Sequence, residues 1–253
     1  MVSVLFPTPA SWVSNPIHVE LIGCGGTGSA MIDELYRMHA LLVRLDHPGL
    51  SVRAWDGDEV SEANIGRQRF WPADVGWNKA EILISRYNNF GDVNWRFENR
   101  NISANDLRDM NPDLIVSCVD DPKARAVIAK SGRKKSDQSI WVDTGNDSDS
   151  GQVILGHWRG RDDDQGLLPH VVDLYPSLKK QNKKDGDSCS TEEALVKQDF
   201  GINQRVAAEA SGLLWRLFRH GGLERHGSFV YQTHGEVVPL MICRDSWESF
   251  STA

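Results

Sequence analysis

The chain has 253 residues, 40% of them hydrophobic and 25% charged, which are the proportions of an ordinary globular protein long enough to bury a full core. Its 28 Lys plus Arg against 35 Asp plus Glu leave a net charge of −7, which argues against a nucleic-acid module and against an anionic membrane surface as partner. No apolar run approaches the ~18 residues that span a bilayer, and Met1–Asn15 lacks the basic start and apolar stretch of a signal peptide, so a cytoplasmic protein is expected.

Short apolar runs alternate with helical periods as far as Trp158, the pattern of βαβ units stacked into a mostly parallel, doubly wound α/β sheet. Strands are expected at Ile17–Ile22, Ser51–Asp56, Val93–Asn99, Leu114–Asp120, Ile140–Thr144 and Gln152–Trp158. Met31, Leu35, Met38, Leu42 and Leu45 form one apolar stripe, which places a first helix after Gly28, ended by Gly49. Asp121 followed by Pro122 reads as a cap with proline in the first turn, giving a helix over Lys123–Ser131. Arg159–Ser188 has no clear periodicity and reads as a long crossover or lid. Helical spacing returns at Thr191–Lys197 and at Ile202–Phe218, and a hairpin around Gly235, within residues 228–243, closes a single domain over residues 1–253.

Cys24, Cys118, Cys189 and Cys243 are far apart with no C-x-x-C, which argues against a structural zinc and a disulfide framework. His157, His170, His220, His226 and His234 lack metal-ligand spacing and read as surface or satisfied core residues. The nine Trp are scattered, as core and surface anchors would be.

Gly23-Cys24-Gly25-Gly26-Thr27-Gly28 follows an apolar strand and opens a helix. In that context Gly23, Gly25, Gly26 and Gly28 let the backbone approach a phosphate at the positive helix end. Asp56, ending the next strand, fits the acid that holds a ribose. To this point NAD and ATP fit equally well.

The segment beyond Asp56 breaks the tie. Asp58 and Val60 follow at two and four residues, then Asn64, Arg67 and Gln68 at eight, eleven and twelve, and a hydride-transfer site has no need of them. The stretch resembles the D-x-D-x-V-x-x-x-N-x-x-R-Q signature of the ThiF/MoeB/HesA adenylyltransferases, the family of the ubiquitin-activating enzymes. The resemblance runs from Ile17 to Asp121 and more loosely from Cys189 to Phe218, and within the family the chain is similar to the ThiF-family proteins of plasmid-borne PRTRC gene clusters.

The resemblance implies that Asp56 holds the ATP ribose, that Asn64, Arg67 and Lys79 contact phosphates, and that Asp120 is the Mg²⁺ ligand. Asp58 and Gln68 belong to the same nucleotide-binding signature. Independently, Mg²⁺ prefers one or two carboxylates plus phosphate oxygens, and ligands gather beyond the carboxyl ends of parallel strands. Arg67 and Lys79 would supply charge as pyrophosphate departs. The resemblance also implies a homodimer, and as acceptor a small ubiquitin-like or sulfur-carrier-like protein whose terminal carboxylate is adenylated.

Cys189 matches the family's crossover cysteine in position and precedes Ser190-Thr191-Glu192-Glu193, a capping box that would place the thiol at a helix start. It is read either as a nucleophile that takes the acyl group or as a packing residue. In parts of the family an arginine near the amino terminus reaches the partner's active site, and Met1–Ile22 contains none. That departure keeps open a catalytically inactive adaptor of the same fold, beside the NAD(P)-binding oxidoreductase.

Overall fold

A computed structural model describes residues 5–132, 138–179 and 199–250. A small ladder pairs β1 (Phe6–Pro7) with β8 (Gly222–Leu223), and the main sheet has eight strands. In chain order these are β2 (Ile17–Ile22), β3 (Leu50–Trp55), β4 (Arg96–Glu98), β5 (Leu114–Ser117), β6 (Ile140–Asn146), β7 (Ser150–His157), β9 (Arg225–Tyr231) and β10 (Glu236–Met241). They lie in the order β10-β9-β7-β6-β5-β2-β3-β4, parallel from β6 through β4 and antiparallel beyond β6.

β5 is Leu-Ile-Val-Ser with every residue buried, as a central parallel strand covered on both faces requires. From β2 the chain runs outward through β3 to β4, then returns to the other side of β2 as β5 and continues to β6. The strand order therefore reverses between β2 and β5, and in sheets of this kind that switch point is where ligands bind.

The helices described are α1 (Gly26–Arg44), α2 (Lys79–Gly91), α3 (Ala104–Asp109), α4 (Pro122–Gly132), α5 (Val171–Leu174), α6 (Ile202–His220) and α7 (Arg244–Glu248). α1 and α6 pack side by side, α1 against β2 and β3, and α6 against β6, β7 and β9. Met31, Leu35, Met38 and Leu42 are buried along α1, and Ile202, Val206, Ala210, Leu213 and Leu217 along α6.

Several expectations need correction. α1 begins at Gly26, inside the glycine run, and Leu45 is not on its buried stripe but just past the helix end, 48% exposed. The strand expected to reach Asp120 stops at Ser117, where its pairing with both β2 and β6 ends. The strand expected over Val93–Asn99 pairs only at Arg96–Glu98, since the Trp95 backbone is instead held by the Asn88 side-chain amide, which donates to its carbonyl and accepts from its N–H.

The stretch expected to be an irregular lid contains a core segment, Leu167–Leu174. Leu167, Leu168, Val171, Val172 and Leu174 are buried, and the segment lies so close to β7 that a Cβ on Gly156 would come within 2.3 Å of the Pro169 carbonyl oxygen. The helix expected at Thr191–Lys197 lies outside the described residues.

His157, His170 and His226 are satisfied core histidines. His157 Nδ1 accepts from Leu168 N–H at 2.7 Å, and His170 Nδ1 accepts from Asp173 N–H at the start of α5. His226 accepts from Trp247 Nε1 at 2.7 Å, which leaves its Nδ1 to donate to the Leu155 carbonyl, and burial pushes its pKa down to about 4. His220 and His234 are exposed.

Candidate functional site

The loop after β2 carries the chemistry. Gly23 has φ +90°, and a Cβ there would sit 2.7 Å from the Cys118 carbonyl oxygen. Gly28 approaches the same turn even more closely, since its Cβ would fall 1.9 Å from the Gly23 carbonyl oxygen. A Cβ on Gly26 would run into the Asn203 side chain of α6 at 2.5 Å. Gly25 differs: among the described residues nothing lies within 4 Å of where its Cβ would be.

Three of the four glycines thus serve the fold, while Gly25 faces open space at the first turn of α1. No side chain caps that helix among the described residues, and its first turn holds no acidic residue. The N–H groups there and the helix dipole suit an anion.

Beside this cradle, Asp56 follows β3 and is buried. Its Oδ2 accepts from Cys24 N–H at 2.6 Å and its Oδ1 from Asp58 N–H at 2.8 Å, so two backbone donors fix the carboxylate while each oxygen keeps a lone pair for a further donor. Burial raises the Asp56 pKa, and the two N–H bonds and the Lys79 charge pull it back. Cys24 is buried with its thiol pKa raised well above normal, first by burial and then by Asp56, so it is an inert packing residue.

Lys79 is buried in the first turn of α2, and its Nζ pairs with Asp58 Oδ2 at 2.9 Å. Asn78 caps that helix by accepting from Glu81 N–H, and its Nδ2 donates to the Asp56 and Asp58 carbonyls at 2.8 and 3.1 Å. One residue therefore ties the helix bearing Lys79 to the loop bearing the buried acid.

Residues 61–69 form a turn docked onto α1. Asn64 is buried, and its Oδ1 accepts from Ser61 N–H at 2.9 Å, closing a capping box. Gln68 N–H reaches back to the Asn64 carbonyl, Arg67 Nε to the Ala63 carbonyl at 3.3 Å, and Arg69 N–H to Ser29 Oγ of α1 at 3.1 Å. Gln68 Oε1 is buried without a partner among the described residues, an acceptor left for a ligand donor or water.

Across the switch point, Asp120 lies in the loop between β5 and α4 and is exposed, while Asp121 caps α4 through Lys123 N–H at 2.9 Å. Burial pushes the neighbouring Cys118 thiol up to about 12. Among the described residues no three His, Cys, Asp or Glu side chains gather to hold a metal. A single carboxylate beside a phosphate cradle suits Mg²⁺, which takes its remaining ligands from phosphate oxygens and water.

The fold thus gathers Gly23 to Gly28 and Asp56, with Asp58 and Lys79 joined as an ion pair beside Asp56. The 61–69 turn is docked on the same helix, and the Asp120 loop lies directly beside the glycines. Cys189 lies outside the described residues.

A family model described as the ThiF family matches residues 14–196, well over half of the chain. The chain belongs to the ThiF family. Ubiquitin-like modifier-activating enzyme 5 of Xenopus laevis is 28% identical over 154 residues, and that of Branchiostoma floridae 29% over 156, covering 55% of this chain and 35% of each relative. The chain spans about a third of the length of these curated relatives. Among solved structures, E. coli MccB with ATP superposes with a TM-score of 0.59 at 17% identity, covering 92% of this chain and 66% of that one. PaaA gives 0.61 at 17% identity, covering 89% and 64%. The α/β fold shared with these two structures covers about nine-tenths of the chain.

Asn78 and Asn203 were not singled out from the sequence. Asn78 stands directly before a helix and carries a readable cap signal. Asn203 reaches Gly26 from a distant helix, and no local pattern announces it.

Proposed function

We propose that this ThiF-family chain uses Mg-ATP to adenylate the carboxy-terminal carboxylate of a small ubiquitin-like or sulfur-carrier-like protein, releasing pyrophosphate. The carrying observation is the open Gly25 face at the uncapped start of α1, beside a backbone-oriented Asp56 and the Lys79–Asp58 pair. The phosphates lie at the α1 N-terminus, and Asp56 accepts from the ribose hydroxyls. A carboxylate oxygen of the acceptor attacks the α-phosphorus, and the bond to the bridging oxygen of the β-phosphate breaks. Arg67 and Lys79 offset the charge growing on pyrophosphate. Asp120 would hold Mg²⁺, which would supply positive charge to offset the charge of the phosphates.

The names of the relatives support this acceptor class, and the chain is expected to act as a homodimer in the cytoplasm. Transfer of the acyl group to Cys189 would follow only after adenylation.

Calorimetric titration tests the choice of nucleotide. The protein is expected to bind the ATP analogue AMPCPP with Mg²⁺ and not NADH, and Asp56→Ala to weaken the analogue by about tenfold, the scale of one lost charge-assisted hydrogen bond. NADH binding without AMPCPP binding would return the chain to the oxidoreductases.

A further inference from the structure

Arg125 and Asp143 form a buried ion pair that the nucleotide site as described does not use. Arg125 Nε lies 3.0 Å from both Asp143 oxygens, and its Nη2 donates to the Thr144 carbonyl at 3.0 Å. Asp143 Oδ1 also accepts from Ser117 Oγ at 2.5 Å, and Ser117 Oγ accepts from Trp141 Nε1 at 2.8 Å. Thr144 Oγ1 donates to the Ser117 carbonyl at 3.0 Å. Asp143 is 1% and Arg125 8% exposed, and burial raises the Asp143 pKa against the pull of Arg125.

Such a pair is a poor way to stabilise a core, because desolvating both charges cancels most of their attraction and apolar replacements of like volume are often as stable. Its placement suggests another role. Ser117 is the last residue of β5 and Arg125 lies in the first turns of α4, so Asp143 grips the chain on both sides of the Cys118–Asp121 loop that carries Asp120. Neither end of that short loop can shift without breaking a buried, charge-assisted bond.

We propose that Arg125 and Asp143 are positioning residues that fix the loop bearing Asp120 beside the glycine cradle. This inference rests on the adenylation reading, in which Asp120 faces Mg²⁺ and the phosphates. The pair acts through the backbone and touches neither.

The test compares wild type with Arg125→Met/Asp143→Leu, which keeps the volume and removes both charges. Thermal melting should change little. The gain in AMPCPP affinity on replacing EDTA by Mg²⁺ should fall by about 10- to 100-fold, the usual cost of removing support behind a metal ligand, and pyrophosphate exchange should fall with it. Arg125→Lys should restore only part of either, since one ammonium nitrogen cannot take the places of both Nε at Asp143 and Nη2 at the Thr144 carbonyl. A folded double variant whose Mg²⁺-dependent gain and exchange match those of wild type overturns the proposal and leaves the adenylation reading intact. Wild type that neither gains affinity from Mg²⁺ nor exchanges pyrophosphate overturns that reading and this proposal together. If the double variant does not fold, Arg125→Lys carries the same comparison.

Discussion

Lys79→Met is expected to slow ATP–pyrophosphate exchange by about a hundred- to a thousandfold, the usual loss when one preorganised donor to developing charge is removed, while half-saturating ATP moves little. The substitution is well placed because it spares the fold. Lys79 is 7% exposed, so methionine replaces the buried stem with one of similar volume. Its partner Asp58 has a side chain 69% exposed, and water solvates the carboxylate left behind. In the proposed adenylation the charge on the phosphates grows as pyrophosphate leaves, so the ammonium would act mostly on the transition state. Exchange rates measured across ATP concentrations separate the two effects. A raised half-saturation with an undiminished maximum would make Lys79 a binding residue only.

The largest contrast lies within the glycine run. Gly28→Ala places a Cβ 1.9 Å from the Gly23 carbonyl oxygen, so the end of β2 and the start of α1 must move apart. Backbone displacement of that kind costs about 3 kcal/mol or more, which for a chain of this size lowers Tm by roughly 6–12 °C. Gly25→Ala meets no atom within 4 Å among the described residues and is expected to leave Tm unchanged, yet its methyl occupies the space where a phosphate would approach. Melting curves with and without Mg-ATP check both: Gly25→Ala should keep its Tm and lose the nucleotide-dependent rise. A Gly25→Ala protein that retains the full rise would move the phosphates elsewhere.

The fold and the site were legible from the sequence to different depths. The apolar runs around Ile17–Ile22 and Leu114–Ser117 and the stripe from Met31 to Leu42 mark elements whose burial follows from local periodicity, and the structure has them. The glycine run was legible as a motif, but not the division of labour within it. Gly26 is needed because Asn203 arrives from α6, and no spacing near Gly26 contains that information.

Leu167–Leu174 read as irregular because its helix, Val171–Leu174, is too short to establish a period, though tertiary contacts bury it. Asp58 matched a nucleotide-binding signature, and its contact in the structure is with Lys79, a pairing 21 residues apart that needs the start of α2 hung on the 56–58 loop by Asn78. The Arg125–Asp143 pair was invisible for the same reason: it joins a helix to a strand across a packed layer.

The most direct test of adenylation is incorporation of labelled pyrophosphate into ATP by the purified protein with Mg²⁺ and each small protein encoded beside it. Exchange is expected with one such acceptor, lost when its terminal carboxylate is removed and retained in Cys189→Ala, because forming the acyl-adenylate needs no thiol. Mg-ATP binding with no exchange for any acceptor bearing a free carboxy terminus would contradict the proposed adenylation and identify the chain as an adaptor of the ThiF fold.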